Sequence, residues 1–104
     1  MRLEELYLIL KSTGLPVAYS HFNEIKSPPY ITYLNSYSSN FNADNKVYKK
    51  IDNIQIELYT KYKDLEAEKK LEDLLDENEI VYETTEEWID SEKLFQRIYE
   101  VRLI

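Results

Sequence analysis

Two segments of the chain carry apolar residues at the spacing that places them on one face of a helix. The first stripe consists of Leu3, Leu6, Tyr7 and Leu10. Because Gly14 readily adopts the left-handed conformation that follows a helix, we expect the first helix to end just before it. The second helix should occupy residues 64–78, with Asp64 as its N-cap. Its buried stripe would consist of Ala67, Leu71, Leu74 and Leu75.

Five other segments show the alternation, or the β-branched and aromatic content, that is typical of strands. They are residues 17–22, 30–37, 47–60, 80–84 and 94–104. Trp88 and Ile89 follow the fourth segment after a polar break. Residues 36–46 are polar and contain no glycine for a tight turn, so we expect a long, mobile hairpin loop there.

The third strand segment divides its residues clearly between the two faces of a sheet. The residues that should face the core are Ile54, Ile56 and Leu58. Those that should lie on the opposite face are Gln55, Glu57 and Tyr59. The fifth segment adds Gln96, Glu100 and Arg102 to this second face. The sequence therefore predicts a polar sheet face that two helices alone cannot fully cover.

The order of these elements predicts the fold class. One helix, three strands, a second helix and two strands give the order α-β-β-β-α-β-β. No helix separates most neighbouring strands, so the sheet should be mostly antiparallel, with about five strands. We expect an α+β protein with both helices on one face of the sheet. Its 104 residues are too few for two independent cores, so residues 1–104 should form a single domain.

The composition excludes several kinds of site. The chain has no cysteine, one glycine and one histidine, which excludes disulfides, thiolate zinc sites, glycine-rich phosphate loops and histidine-rich metal sites. We therefore expect no cofactor and no metal. No apolar run approaches the length of a membrane span, and Glu4 and Glu5 interrupt the N-terminal apolar pattern. We accordingly expect no signal peptide and no membrane partner.

Charge is distributed unevenly along the chain, whose net charge is −7. Residues 1–56 carry 6 basic and 5 acidic residues, a net charge of +1. Residues 57–104 carry 7 basic and 15 acidic residues, a net charge of −8. Because this acidic half would repel phosphate groups, we expect no specific nucleic-acid partner.

The sequence gives little support to an enzyme. The acidic residues within 66–79 lie beside Lys69 and Lys70 and have no histidine among them, so we interpret them as a solvated helix face with local ion pairs. His21 is the one side chain that titrates near neutral pH, but its neighbour Ser20 should point to the opposite face of a strand. We predict no catalytic residue and no enzymatic activity.

Ten tyrosines and one small basic cluster indicate protein–protein contact instead. Tyrosine is favoured on half-buried sheet faces and at interfaces. The cluster of Lys46, Lys49 and Lys50 would complement the acidic half of another copy, in a head-to-tail contact that can close into a ring. The residues that we predict at a protein interface are Tyr37, Phe41, Asp44, Lys46, Lys49, Lys50, Gln55, Glu57 and Tyr59.

Several motifs along the chain together resemble one protein family. They are Leu15-Pro16-Val17-Ala18-Tyr19 with His21-Phe22, Pro28-Pro29-Tyr30-Ile31 with Tyr33, Asn40-Phe41 with Ala43-Asp44-Asn45-Lys46-Val47-Tyr48, Ile56-Glu57-Leu58-Tyr59-Thr60, Lys63-Asp64 with Glu68, Trp88-Ile89 with Ser91-Glu92-Lys93-Leu94, and Ile98-Tyr99-Glu100. They cover nearly the whole chain. It resembles small proteins from the structural modules of long-tailed phages and prophages of Gram-positive bacteria, in particular the tail terminator, or tail-to-head joining, proteins.

This resemblance implies a role in virion assembly. Such proteins are small α+β subunits that form a ring, usually hexameric, which ends the tail tube and offers a docking face to the head connector. The implied partners are copies of the chain itself, the tail tube protein and the head–tail connector protein. The protein would be made in the bacterial cytoplasm and end in the tail or neck of the virion. Residues 36–46 would lie at the ring lumen or the tube interface.

Two other functions stay open at this point. One is another head–tail connector or head-completion component with the same fold. The other is a small acidic inhibitor that mimics DNA and binds a host protein. A DNA mimic needs carboxylates spaced like phosphates over an extended surface, whereas the acidic residues here concentrate on one helix and its flanks. This distribution favours the ring subunit.

Overall fold

A computed structural model describes the backbone of residues 1–43 and 46–103, and the side chains of residues 1–37 and 51–103. The two helices are α1 (Leu3–Lys11) and α2 (Leu65–Glu77). The five strands are β1 (Val17–Tyr19), β2 (Tyr30–Ala43), β3 (Lys46–Thr60), β4 (Tyr82–Ile89) and β5 (Leu94–Leu103). The order α-β-β-β-α-β-β confirms the predicted α+β class. Ile104, with which the fifth segment was predicted to end, lies outside the described residues.

The strands form one sheet in the order β1-β2-β3-β5-β4. β1 pairs with β2 in parallel, and the other three neighbouring pairs are antiparallel. The sheet is therefore mixed and mostly antiparallel, as predicted. Since β3 lies at its centre, strands from both ends of the chain share the same partner.

The end of α1 and the start of α2 lie where their sequence signals predict. After α1, the Thr13 hydroxyl donates to the Leu10 carbonyl oxygen at 2.7 Å, and Gly14 has a φ of +82°. At the start of α2, the Asp64 carboxylate accepts a hydrogen bond from the Ala67 amide at 3.0 Å. This bond satisfies one of the amide groups that the first turn of a helix leaves without a partner.

The core lies between the helices and one face of the sheet. Its helix side chains are Leu6 and Leu10 from α1 and Ala67, Leu71 and Leu75 from α2. Its strand side chains include Ile31, Tyr33, Ile54, Ile56, Leu58, Tyr99 and Val101. The predicted alternation in β3 is thus confirmed. Leu74, predicted in the buried stripe of α2, is only half-buried.

The predicted bounds of two strands were wrong. β1 ends at Tyr19 instead of residue 22, because Ser20 has a φ of 67°, which breaks the extended conformation. β4 was predicted over residues 80–84, yet it runs from Tyr82 through the polar residues to Ile89. It pairs with β5 along this whole length and lies at the edge of the sheet, where polar side chains can face solvent.

The predicted loop over residues 36–46 was also wrong for residues 36–43 and 46, whereas residues 44 and 45 lie outside the described residues. β2 continues to Ala43 and pairs with β3 as far as the Ala43–Lys46 pair, with register shifts at Asn35/Tyr37 and Phe41/Asn42. The antiparallel ladder satisfies backbone groups whatever the side chains, so a polar sequence of low strand propensity can still extend the hairpin. β5 pairs with β3 only as far as Asp52 in the described part of the chain. We call the two-stranded extension, residues 38–43 and 46–51, the arm.

Candidate functional site

The site is built on the face of the sheet opposite the helices, which we call the open face. Three of the predicted interface residues, Gln55, Glu57 and Tyr59, project from it because they alternate with the core residues of β3. The register places Thr32 of β2 and Ile98 of β5 on either side of Glu57. The structure therefore brings these predicted residues together at the centre of the sheet.

Glu57 holds a hydrogen-bonded network together on the open face. One carboxylate oxygen, Oε1, accepts from the Thr32 hydroxyl at 2.9 Å. The other, Oε2, accepts from Gln96 Nε2 at 2.7 Å, from Gln55 Nε2 at 3.1 Å and from the Tyr59 hydroxyl at 3.4 Å. Glu57 is only 7% exposed. A carboxylate this buried is stable because its oxygens are surrounded by donors.

Tyrosine rings continue this network towards one end of the sheet. Gln96 Nε2 also donates to the Tyr59 hydroxyl at 2.9 Å, and the Tyr59 ring stacks on Tyr30 with centroids 4.9 Å apart. Burial and the nearby charge of Glu57 raise the pKa of Tyr59 to about 12. The Tyr59 phenol therefore stays protonated at neutral pH and remains a hydrogen-bond donor.

The chain between β1 and β2 closes over this end of the open face. It leaves a cleft of about 500 Å³, which we call the aromatic cleft. The side chains that line it include Phe22, Glu24, Lys26, Tyr30, Thr32, Tyr59 and Glu92. The cleft was not predicted, because β1 was expected to continue to residue 22.

The other predicted interface residues belong to the hairpin. Tyr37 lies at the base of the arm with a side chain that is 60% exposed. The backbones of Phe41 and Lys49 pair with each other, and those of Lys46 and Lys50 lie in β3 of the arm. Asp44 lies outside the described residues. The structure thus divides the predicted interface between the arm and the open face.

A charged cluster between α2 and the sheet was not predicted. Its members are Lys63, Glu68, Glu72, Glu86, Arg97 and Tyr99. The solvated-face interpretation of residues 66–79 is wrong for Glu68, which is 7% exposed, although the exposed Lys69–Asp73 pair at 2.7 Å fits it. The alternation of side chains along β5 could have predicted this cluster. Arg97 lies between Phe95 and Tyr99, on the face of β5 that packs against the core.

Ion pairs and a phenol bind this charged cluster together. Arg97 Nε lies 3.3 Å from Glu68 Oε1 and donates to the Tyr99 hydroxyl at 3.1 Å. The Tyr99 hydroxyl in turn donates to Glu72 Oε2 at 2.7 Å. Burial, followed by this bond to the Glu72 carboxylate, raises the pKa of Tyr99. These contacts join α2 to β5, which suits a structural role.

His21 has a different neighbour from the one predicted. Because the strand ends before it, the ring nitrogen Nδ1 lies 3.2 Å from the Ser20 hydroxyl oxygen, in an exposed position. The expectation that these two side chains point to opposite faces was therefore wrong. An exposed Ser–His contact also requires a group that orients the imidazole before it can activate a nucleophile.

The described part of the chain holds no candidate metal site and no candidate membrane span. There, no group of three or more histidine, aspartate or glutamate side chains is arranged to hold a metal ion. No helix in that part of the chain is long and apolar enough to cross a membrane.

Comparison with models of protein families and with curated protein sequences found no match to this chain. A function must therefore be inferred from the residues and their geometry. The two surfaces that carry the predicted interface, the arm and the open face, are the starting point.

Proposed function

We propose that this chain is a non-enzymatic structural subunit that joins copies of itself in a ring. The ring would cap the tail tube of a long-tailed phage and join the tail to the head. The observation that carries the proposal is the arm, in which β2 and β3 continue past Asp52, the last residue of β3 that pairs with β5 in the described part of the chain. A two-stranded ribbon offers both outer edges for pairing, so another protein surface can complete it.

Charge supports a contact between copies. The arm includes Lys46, Lys49 and Lys50, whereas the edge strand β4 carries the exposed carboxylates Glu83 and Glu87. The arm and the edge strand β4 are different surfaces of the chain, so contacts between them can repeat head-to-tail from copy to copy. Head-to-tail contacts close into rings when the rotation between copies permits it. The tail tube protein and the head–tail connector protein would contact the two ends of such a ring.

The open face supports the same proposal. It carries polar and tyrosine side chains around the Glu57 carboxylate, whose two oxygens already accept hydrogen bonds. Surfaces of this composition are found at interfaces that form after folding. A polar face of this kind is stable in water on an isolated copy, and the same face can be buried when copies assemble into a ring. The alternative of a head-completion or other connector component uses the same surfaces, and the site of attachment in the particle separates the two.

The decisive experiment is electron microscopy of particles from a phage or prophage whose copy of this gene has been deleted. We expect overlong tail tubes and filled heads without tails, both corrected by the wild-type gene supplied in trans. Filled heads that leak DNA, beside tails of normal length, would indicate head completion instead. Normal virions would refute the structural proposal and favour an acidic inhibitor that mimics DNA.

A pair of charge reversals tests the arm in the same assay. Lys49→Glu with Lys50→Glu should abolish complementation, because it places acidic residues against an acidic surface. The matched control is Lys61→Glu with Lys70→Glu, which changes the net charge equally at two exposed lysines outside the arm. Equal loss in both double variants would show that overall charge, and not the arm, controls assembly.

A further inference from the structure

We propose that the aromatic cleft binds the cationic side chain of an arginine or lysine that a partner protein presents. This inference goes beyond the proposed ring, since it depends neither on the arm nor on contact between copies. It concerns the end of the open face that the chain between β1 and β2 closes over, next to the stacked tyrosines.

The aromatic rings of the cleft provide faces that attract a cation. Phe22 meets Tyr30 edge-on with centroids 5.5 Å apart, and Tyr30 stacks on Tyr59. The negative face of such rings attracts an ammonium or guanidinium group within about 6 Å. The chain already makes one contact of this kind, because Lys26 Nζ lies 5.6 Å from the centroid of Phe22.

The charges around the cleft favour a cation over an anion. The carboxylates of Glu24 and Glu92 line it and are exposed, against one lysine, Lys26. Beside the lining residue Tyr59, on the same face of β3, lies the buried carboxylate of Glu57. Burial, followed by the charge of Glu92, raises the pKa of Tyr30, which keeps its phenol neutral beside these carboxylates. An anionic or purely apolar ligand would match this lining poorly.

The volume of the cleft also suits a side chain that enters from another protein. At about 500 Å³ it exceeds the space that one guanidinium group needs. An extended arginine or lysine can insert its charged end while its backbone stays outside. Alkyl carbons of the inserted side chain would then pack on Tyr30 and Tyr59.

The test is a titration of the isotope-labelled full chain with Nα-acetyl-arginine amide, followed through backbone amide chemical shifts. The matched probe is Nα-acetyl-citrulline amide, which has nearly the same shape and no charge. We expect the arginine compound to shift the amides of Tyr30, Thr32 and Tyr59 with a dissociation constant of about 1 mM, and the citrulline compound to leave them unchanged. Equal shifts with both compounds, or none, would overturn the proposal.

Charge variants locate the binding. Glu24→Gln with Glu92→Gln should weaken binding by about three- to tenfold, and Lys26→Gln should strengthen it by about two- to threefold. The control, Glu66→Gln with Glu77→Gln, alters the net charge equally at exposed sites on α2 and should change nothing. Equal weakening in that control would show that the arginine compound is attracted to the net charge of the protein and not to the cleft, which would overturn the proposal. Tighter binding of spermidine than of an arginine-containing peptide would also overturn it, since that favours a free polyamine.

Discussion

Removal of the Arg97 guanidinium should destabilise the fold through the carboxylates that it leaves behind. The Arg97 side chain is 21% exposed and lies 3.3 Å from Glu68, 3.7 Å from Glu72 and 3.6 Å from Glu86. In Arg97→Met a methionine of similar length fills the space, so the main effect is loss of the charge. Lys63, 2.8 Å from Glu68, remains as a partial counter-ion.

The magnitude follows from how buried these partners are. Breaking a fully buried ion pair costs about 3–5 kcal/mol. Glu68 is 9% exposed at its side chain, but Glu72 and Glu86 are 27% and 29% exposed, so water screens part of the lost attraction. We therefore expect Arg97→Met to lower the free energy of unfolding by about 2–3 kcal/mol. For a domain of this size, that corresponds to a fall of about 2 M in the urea midpoint.

The assay is urea unfolding followed by circular dichroism, with Lys69→Met as the matched control. Lys69 pairs with Asp73 at 2.7 Å, but both side chains lie largely in solvent, so its removal should leave the midpoint within experimental error. Adding Glu68→Gln to Arg97→Met should recover part of the loss, because it removes the most buried of the three carboxylates that lose their arginine partner. Equal midpoints for Arg97→Met and Lys69→Met, or no recovery in the double variant, would refute the reasoning.

Three further predictions concern the phenol, the core and the helix cap. Because the pKa of Tyr59 is raised to about 12, its contribution to stability is complete below pH 10 and is lost as the pH rises from 10 through 12; thermal melts across this range should show a smaller alkaline loss in Tyr59→Phe. Leu71→Ala should lower the free energy of unfolding by about 2–4 kcal/mol in calorimetry, whereas Leu8→Ala, at a side chain 65% exposed, should cost far less. Asp64→Ala should cost about 1 kcal/mol by urea unfolding, and Asp64→Asn, which keeps the capping oxygen, should restore most of it.

Sequence reasoning succeeded where one short segment decides the outcome. Asp64 and Gly14 mark the helix ends through their own side chain and backbone preferences. The alternation from Ile54 to Tyr59 separates the core face from the open face without knowledge of any partner strand. The order of elements then sufficed for the α+β class.

Sequence reasoning failed where a distant segment decides. The polar residues after Ser36 predict a loop, yet residues 37–43 form a strand because β3 supplies their hydrogen-bond partners. Burial of Glu68 depends on α2 packing over Arg97, about thirty positions further along the chain. The network around Glu57 needs the register of Thr32 and Gln96, and the aromatic cleft needs the turn at Ser20. Register and packing of this kind are set by tertiary contacts.

The open face has a consequence for the order in which the protein becomes functional. Its central carboxylate takes donors from β2, β3 and β5, and β5 is the last of these strands to be synthesised. Pairing β3 with β5 closes a longer stretch of intervening chain than the β2–β3 hairpin does, so we expect it to follow the hairpin in folding. A nascent chain that has completed only the β2–β3 hairpin therefore lacks the finished surface. Contacts that use this surface would thus select copies that have finished folding.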